Sequence, residues 1–268
     1  MSATDDVRQL AQVAPGVWVG QVEFWATNTT VVVSADGAAL VVDPALTLAE
    51  IDALAAVVDA RGWRVVAGFA THVHFDHVLW SQALGAAPRW ASATTVRMAR
   101  EHPERVLPDS TVERLGIPRS VLDGLVAMPD GVTDVPWAGP VARVLTHDAH
   151  APGHAALLLV DQRVLLAGDM VSRREVPLLD TDAADPVGTY RAGLEVLAAP
   201  LERGDVDVVV PGHGDVLDQA AALAVVQQDR AYLETLSAGV VPDDPRLADE
   251  WVRGQHDAQV AALGLARA

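Results

Sequence analysis

THVHFDHVLW (71–80) places three histidines and one aspartate within six consecutive positions of a chain that holds nine histidines in all. In an extended segment, side chains two apart share a face, so His72 and His74 can converge on one point while Val73 turns back into the protein. The preceding RVVAGFA (64–70) reads as a buried strand, and a helix is expected to begin near Val78, which puts the motif on a strand-to-helix loop. Once the chain bends, Asp76 and His77 can point toward a second spot nearby. One short segment then offers two half-sites, a spacing suited to two metal ions rather than one. A structural role alone explains the cluster poorly, because ionisable groups crowded at a strand end and buried without partners cost stability.

Two histidines and a carboxylate cannot complete the shells of two ions, so further ligands should arrive from other strand ends. Three segments offer them. HAPGH (150–154) places His154 after a Pro-Gly turn, LLAGDM (165–170) ends an apolar strand in Gly168-Asp169, and VVVPGHGD (208–215) does the same with His213. His102 and His256 stand alone and read as ordinary solvated or hydrogen-bonded side chains.

Composition narrows the chemistry. With 268 residues the chain can bury a substantial core. It has no cysteine, which excludes disulfides, thiolate metal ligands and a thiol nucleophile. The formal net charge is -17, all 19 basic residues are arginine, and no basic face is evident, so nucleic acid is a poor partner. No basic n-region followed by an apolar run and no long apolar span occurs, from which a cytoplasmic protein without membrane association is expected. A GxSxG elbow is absent as well.

Periodicity predicts strands at 17–25, 28–34 and 38–42 joined as an antiparallel meander. A helix over 47–62 should follow, with Thr47 as cap, Glu50 three positions on and Gly62 as the stop. Residues 92–101 look helical, and 103–140 show no clear period. Strands are expected at 141–146, 155–160, 163–167 and 206–210, with helices at 186–198, 216–236 and 245–266. Hairpin-linked strands beside alternating strands and helices imply an α/β architecture with mixed sheets.

HxHxDH at 72–77, then PGH at 152–154, GD at 168–169 and PGHG at 211–214, resembles the metallo-β-lactamase superfamily. The THxHxDH stretch is similar to its hydroxyacylglutathione hydrolases and lactonases. The resemblance implies a four-layer αβ/βα sandwich with two mixed β-sheets, forming one domain over 1–268 with its core at about 17–216 and C-terminal helices at about 216–266. It further implies that His72, His74 and His154 hold a first metal, that Asp76, His77 and His213 hold a second, and that Asp169 bridges them. Asp43, at the end of ALVVD, would support the motif loop.

Imidazole and carboxylate ligands suit zinc, with iron or manganese as the other candidates, so two Zn(II) per chain are expected. Two such ions about 3.5–4 Å apart would hold a bridging hydroxide, with Asp76 orienting it and moving its proton. The expected reaction is hydrolysis of an ester, thioester or lactone bond in a small molecule. The alternatives are a mononuclear iron dioxygenase of persulfide type, using His72, His154 and Asp169, and a non-catalytic binding module. Trp25 beside Phe24, together with Trp80, His147, His150 and Arg173, are candidate substrate contacts. A monomer and a homodimer fit the sequence equally.

Overall fold

The structure, a computed structural model, describes residues 9–265. Twelve strands are seen among them: β1 (Ala11–Ala14), β2 (Val17–Gln21), β3 (Asn28–Val33), β4 (Ala38–Val42), β5 (Arg64–Phe69), β6 (Arg89–Ala91), β7 (Leu125–Ala127), β8 (Ala142–Thr146), β9 (Ala155–Leu159), β10 (Val164–Gly168), β11 (Val208–Pro211) and β12 (Leu217–Asp218). The helices are α1 (Leu48–Ala60), α2 (Phe75–Val78), α3 (Ala93–Glu101), α4 (Pro103–Val106), α5 (Asp109–Leu115), α6 (Pro186–Glu202), α7 (Gln219–Ser237) and α8 (Glu250–Ala262). Strands β1 to β7 form one sheet in chain order, and a second has the order β12-β11-β10-β9-β8.

Each buried strand serves two layers through its period of two. Leu157, Leu159, Val164 and Leu166 face the first sheet across an interior shared with Val32, Leu40, Val42 and Phe69. Leu158, Leu165 and Val209 turn the other way, onto Leu194 and Leu197 of α6 and Leu233 of α7. On the far side, Val31 and Val41 meet Ile51, Leu54 and Val58 of α1. Helices therefore cover both outer faces of two packed sheets. At about 1.5–3 kcal/mol for each fully buried Leu, Val or Phe, this layering is the main favourable term in the fold.

Local chemistry sets the helix starts. Thr47 accepts from the backbone of Glu50 while the Glu50 carboxylate returns to the Thr47 backbone, and Asp185, Asp218 and Asp249 cap α6, α7 and α8. The helix expected near Val78 instead ends there: α2 starts at Phe75, with Asp76 in its first turn, because β5 ends at Phe69 and the chain bends through 71–74. The helix expected over 245–266 is a short 3-10 turn at Pro245–Ala248 followed by α8, and residue 266 lies outside the described residues. The region 103–140 contains α4, α5 and β7, elements too short for periodicity to reveal.

Strand direction brings the loops of interest to one edge. β4 and β5 are parallel, as are β10 and β11, so the carboxyl ends of each pair lie side by side. β8 and β9 form an antiparallel hairpin beside β10, which carries their connecting loop to that same end. The two sheets are tied there by the Ala155 N–H donating to the Thr71 carbonyl at 2.7 Å and the Asn28 N–H to the Gly212 carbonyl at 2.7 Å.

Candidate metal centre

Four segments meet at this edge. The loop after β5 supplies His72, His74, Asp76 and His77; the β8–β9 loop supplies His150; the end of β10 supplies Asp169; and the end of β11 supplies His213. Two glycines make the approach possible. A Cβ on Gly212 would collide with Asp169 Oδ1, and one on Gly168, where φ is +58°, would collide with His154 Nε2.

The imidazoles are oriented from behind. His77 Nδ1 donates to Asp43 Oδ2 at 2.9 Å, His150 Nδ1 to the Leu178 carbonyl at 2.8 Å, and His213 Nδ1 to the Trp25 carbonyl at 3.2 Å. His72 Nδ1 lies 3.0 Å from Thr71 Oγ1, whose own proton goes to Asp43 Oδ2 at 2.6 Å. These partner oxygens assign the tautomer of the neutral ring, so four rings turn Nε2 into the centre, where each neutral ring offers its lone pair to a cation. Asp43 governs two of the four and also accepts the Thr71 N–H at 2.8 Å.

The donor atoms form two overlapping sets. In the first, His74 Nδ1 lies 3.0 Å from both His72 Nε2 and His150 Nε2, and Asp169 Oδ2 lies 3.4 Å from both of those Nε2 atoms. In the second, Asp76 Oδ2 lies 3.4 Å from His77 Nε2 and 3.3 Å from His213 Nε2. Asp169 joins this set too, with Oδ1 3.1 Å from His77 Nε2 and Oδ2 3.3 Å from His213 Nε2. Four ligands at about 2.0–2.1 Å in a tetrahedron stand about 3.3 Å apart, which is the spacing found in both sets. The buried His77 Nε2 and Asp169 Oδ1 also have no hydrogen-bond partner. The residues fit divalent cation binding.

Electrostatics agree with the geometry. Burial, reinforced by His77, holds His72 well below the usual imidazole range, and burial likewise lowers His150, so both rings are neutral. Burial would lower His77 and His213 too, but Asp169 with Asp76 and Asp43 around the one, and Asp169 with Glu175 around the other, hold them well above that range. Burial would raise Asp169 and Asp76, yet the neighbouring histidines outweigh it and keep both carboxylates ionised. Burial pushes Glu175 up to about 7, with Asp169 and Asp76 opposing its ionisation further.

The expected site needs one correction. The structure seats His150, not His154, with His72, His74 and Asp169. His154 stands at the neck of the β8–β9 hairpin, where the His147 N–H donates to its carbonyl at 2.8 Å and the two rings stack at 4.5 Å. Its Nε2 accepts the Asp169 N–H at 3.3 Å, so that lone pair is already used, and its Nδ1 faces His147 Nε2 at 3.1 Å. His150 rides the loop tip and reaches the centre.

Among the candidate substrate contacts, Trp25 stands at the second set, edge-on to His213 at 6.4 Å between ring centroids. It also meets Phe24 at 4.6 Å, Phe75 at 5.9 Å and Trp251 of α8 at 5.3 Å, forming an aromatic wall. Trp80 does not join it: the ring packs against Gly68, lies 5.6 Å from the Arg89 guanidinium, and donates Nε1–H to the Gly85 carbonyl at 2.9 Å. His147 is buried behind His154, where burial pushes it down to about 4. Arg173 is exposed, and it is Arg174 that forms an ion pair, with Asp249 at 3.4 Å.

Sequence reasoning missed Glu175, Trp251 and Arg246. Arg246 is buried; it pairs with Asp229 at 2.7 Å and Asp244 at 2.9 Å and donates to the carbonyls of Ser172 at 3.2 Å and Glu175 at 2.8 Å. It thereby fastens the segment after Asp169 to the C-terminal helices. SRRE (172–175) drew attention to its arginines rather than its glutamate, and nothing local marks Trp251 or Arg246.

The chain is similar in structure to a metallo-beta-lactamase family protein from Thermus thermophilus, with 23% identity over 94% of this chain and 93% of that one and a TM-score of 0.66. It is similar also to a beta-lactamase domain protein from Burkholderia ambifaria, at 22% identity over 88% and 77% with a TM-score of 0.64. The metallo-beta-lactamase FIM-1 from Pseudomonas aeruginosa in the mono-zinc form matches at 15% identity over 84% and 96%, with a TM-score of 0.59. No curated protein sequence matches the chain. The sequence model of the metallo-beta-lactamase superfamily covers residues 22–213, from just after β2 to the last histidine of the centre, and the chain belongs to that superfamily.

Proposed function

We propose that the chain is a dinuclear metal-dependent hydrolase that cleaves an ester, thioester or lactone bond of a small molecule. The observation that carries this reading is Asp169 Oδ2, which lies within 3.4 Å of His72 and His150 on one side and 3.3 Å of His213 on the other. One carboxylate oxygen thus stands within reach of imidazoles from both groups. Divalent ions held there supply Lewis acidity and a water whose pKa falls to about 7. Zinc is the ion proposed, since the donors are imidazole and carboxylate and the FIM-1 relative is a zinc protein.

The chain's own groups do the positioning. Asp76, kept ionised by His77 and His213, accepts a hydrogen bond from the attacking water and takes its proton. Trp25, Phe75 and Trp251 exclude bulk water beside His213 and pack on the apolar part of the substrate. The formal charge of -17 supports a small-molecule substrate rather than nucleic acid. No helix among the described residues is long and apolar enough to cross a membrane.

Metal analysis of the purified protein, with a panel of thioester, lactone, aryl ester, phosphodiester and β-lactam substrates, tests the reading. Two zinc ions per chain and turnover of a carboxylic ester or thioester are expected, with both lost in His72→Ala plus Asp169→Ala. Iron with oxygen consumption, or activity unchanged in that double variant, refutes it.

A further inference from the structure

The second donor set has a neighbour that the reading above leaves without a role. Glu175 is 5% exposed, and its Oε1 is buried without a hydrogen-bond partner. One of its carboxylate oxygens, one Asp169 oxygen and one His213 ring nitrogen all lie within 4.8 Å of one another. A carboxylate buried only for packing should have a donor, because an unpaired polar group in the interior is costly. The adjacent Arg174 pairs with Asp249 instead.

Glu175 is also held in place. Ser172 Oγ donates to the His213 carbonyl at 2.7 Å and accepts the Arg174 N–H at 3.0 Å. Arg246 Nη1 donates to the Glu175 carbonyl at 2.8 Å. The segment is therefore pinned to the His213 loop at one end and to the Asp229–Arg246–Asp244 cluster at the other. The side chain between these pins is directed at His213 and Asp169 by a fixed backbone.

Resting on the two-metal reading, we propose that Glu175 is a further carboxylate donor to the second cation. The second set then offers two imidazoles, His77 and His213, and three carboxylates, Asp76, Asp169 and Glu175. The first set keeps three imidazoles and one shared carboxylate. Oxygen-rich sets of higher coordination suit manganese, whereas tetrahedral nitrogen-rich sets suit zinc. The two halves of the centre are thus chemically unequal, and Glu175 makes them so.

The test is a Mn(II) titration of the metal-free full chain by chelator competition, for the wild type, Glu175→Gln and Glu175→Ala, alongside thermal unfolding with and without metal. The wild type should bind two Mn(II). Both variants should lose about 10-fold to 100-fold in affinity for one ion and keep the other within about twofold, the range for removing a group that tunes a metal site. The metal-free melting temperature of Glu175→Gln should not fall, since the side-chain volume is kept and no hydrogen bond to Oε1 is lost, while in both variants the rise on adding metal should shrink. Unchanged affinity for both ions overturns the proposal, as does a melting temperature lowered equally with and without metal, which marks a packing role. A wild type that binds at most one ion overturns the two-metal reading and this proposal with it.

Discussion

His150→Ala and His154→Ala separate a donor from a support. His150 Nε2 is one corner of a four-donor set, 3.0 Å from His74 Nδ1 and 3.4 Å from Asp169 Oδ2. A protein zinc site of four ligands is worth about 10–16 kcal/mol, so one corner accounts for about 3 kcal/mol. At 1.4 kcal/mol per decade, His150→Ala should weaken the first zinc about 100-fold or more. It should cost about 1–3 kcal/mol of stability, because the side chain is buried and its Nδ1–H donates to the Leu178 carbonyl. His154 is fully buried and accepts the Asp169 N–H. Its truncation opens a cavity and strands that donor, which costs about 2–4 kcal/mol of stability. Zinc should then weaken only about 10-fold, through a looser Asp169. Zinc affinity by chelator competition and urea unfolding of the metal-free proteins read the two effects apart. A His154→Ala protein that loses the first zinc while His150→Ala retains it would refute this assignment of donors.

Three further outcomes follow from the same geometry. Asp43→Asn replaces an acceptor by a donor opposite His77 Nδ1, reverses the ring's tautomer, and should weaken the second zinc about 10-fold to 100-fold, with calorimetric titration as the check. Arg246→Met leaves Asp229 and Asp244 buried without their cation, so urea unfolding should show a loss of about 3–5 kcal/mol, and a loss below about 1 kcal/mol would contradict the role given to the cluster. Zinc uptake at pH 7 should release protons. His77 and His213 are held well above the usual imidazole range in the metal-free chain, whereas a ligand must be neutral, so apparent affinity should rise with pH. Titrations in buffers of different ionisation enthalpy measure this release, and uptake without it would contradict the protonation assigned to these rings.

Much of the architecture is legible in short stretches. Thr47 and Glu50 announce the start of α1, and the runs around Leu157 and Leu165 announce strands covered on both faces. α4, α5 and β7 escape notice, since three to seven residues carry too little period to stand out. Trp80 is misread because closeness in sequence to His77 says nothing about the direction the chain takes after α2, where Gly68 and Arg89 offer the indole a place to pack.

What the sequence by itself determined is the inner geometry of single segments. Within 72–77, closeness along the chain suffices to bring His72, His74, Asp76 and His77 to one edge, because neighbouring residues have few relative orientations. Tertiary structure decided every choice between segments. HAPGH offers two histidines four residues apart, and the pairing of His154 across the hairpin neck with His147 is what leaves His150 at the tip. Glu175 comes beside His213, Trp251 beside Trp25 and Arg246 under the segment after Asp169 only because β10 lies parallel to β11 and the C-terminal elements pack against that loop. Such meetings depend on sheet register and helix packing, long-range properties that no local spacing encodes.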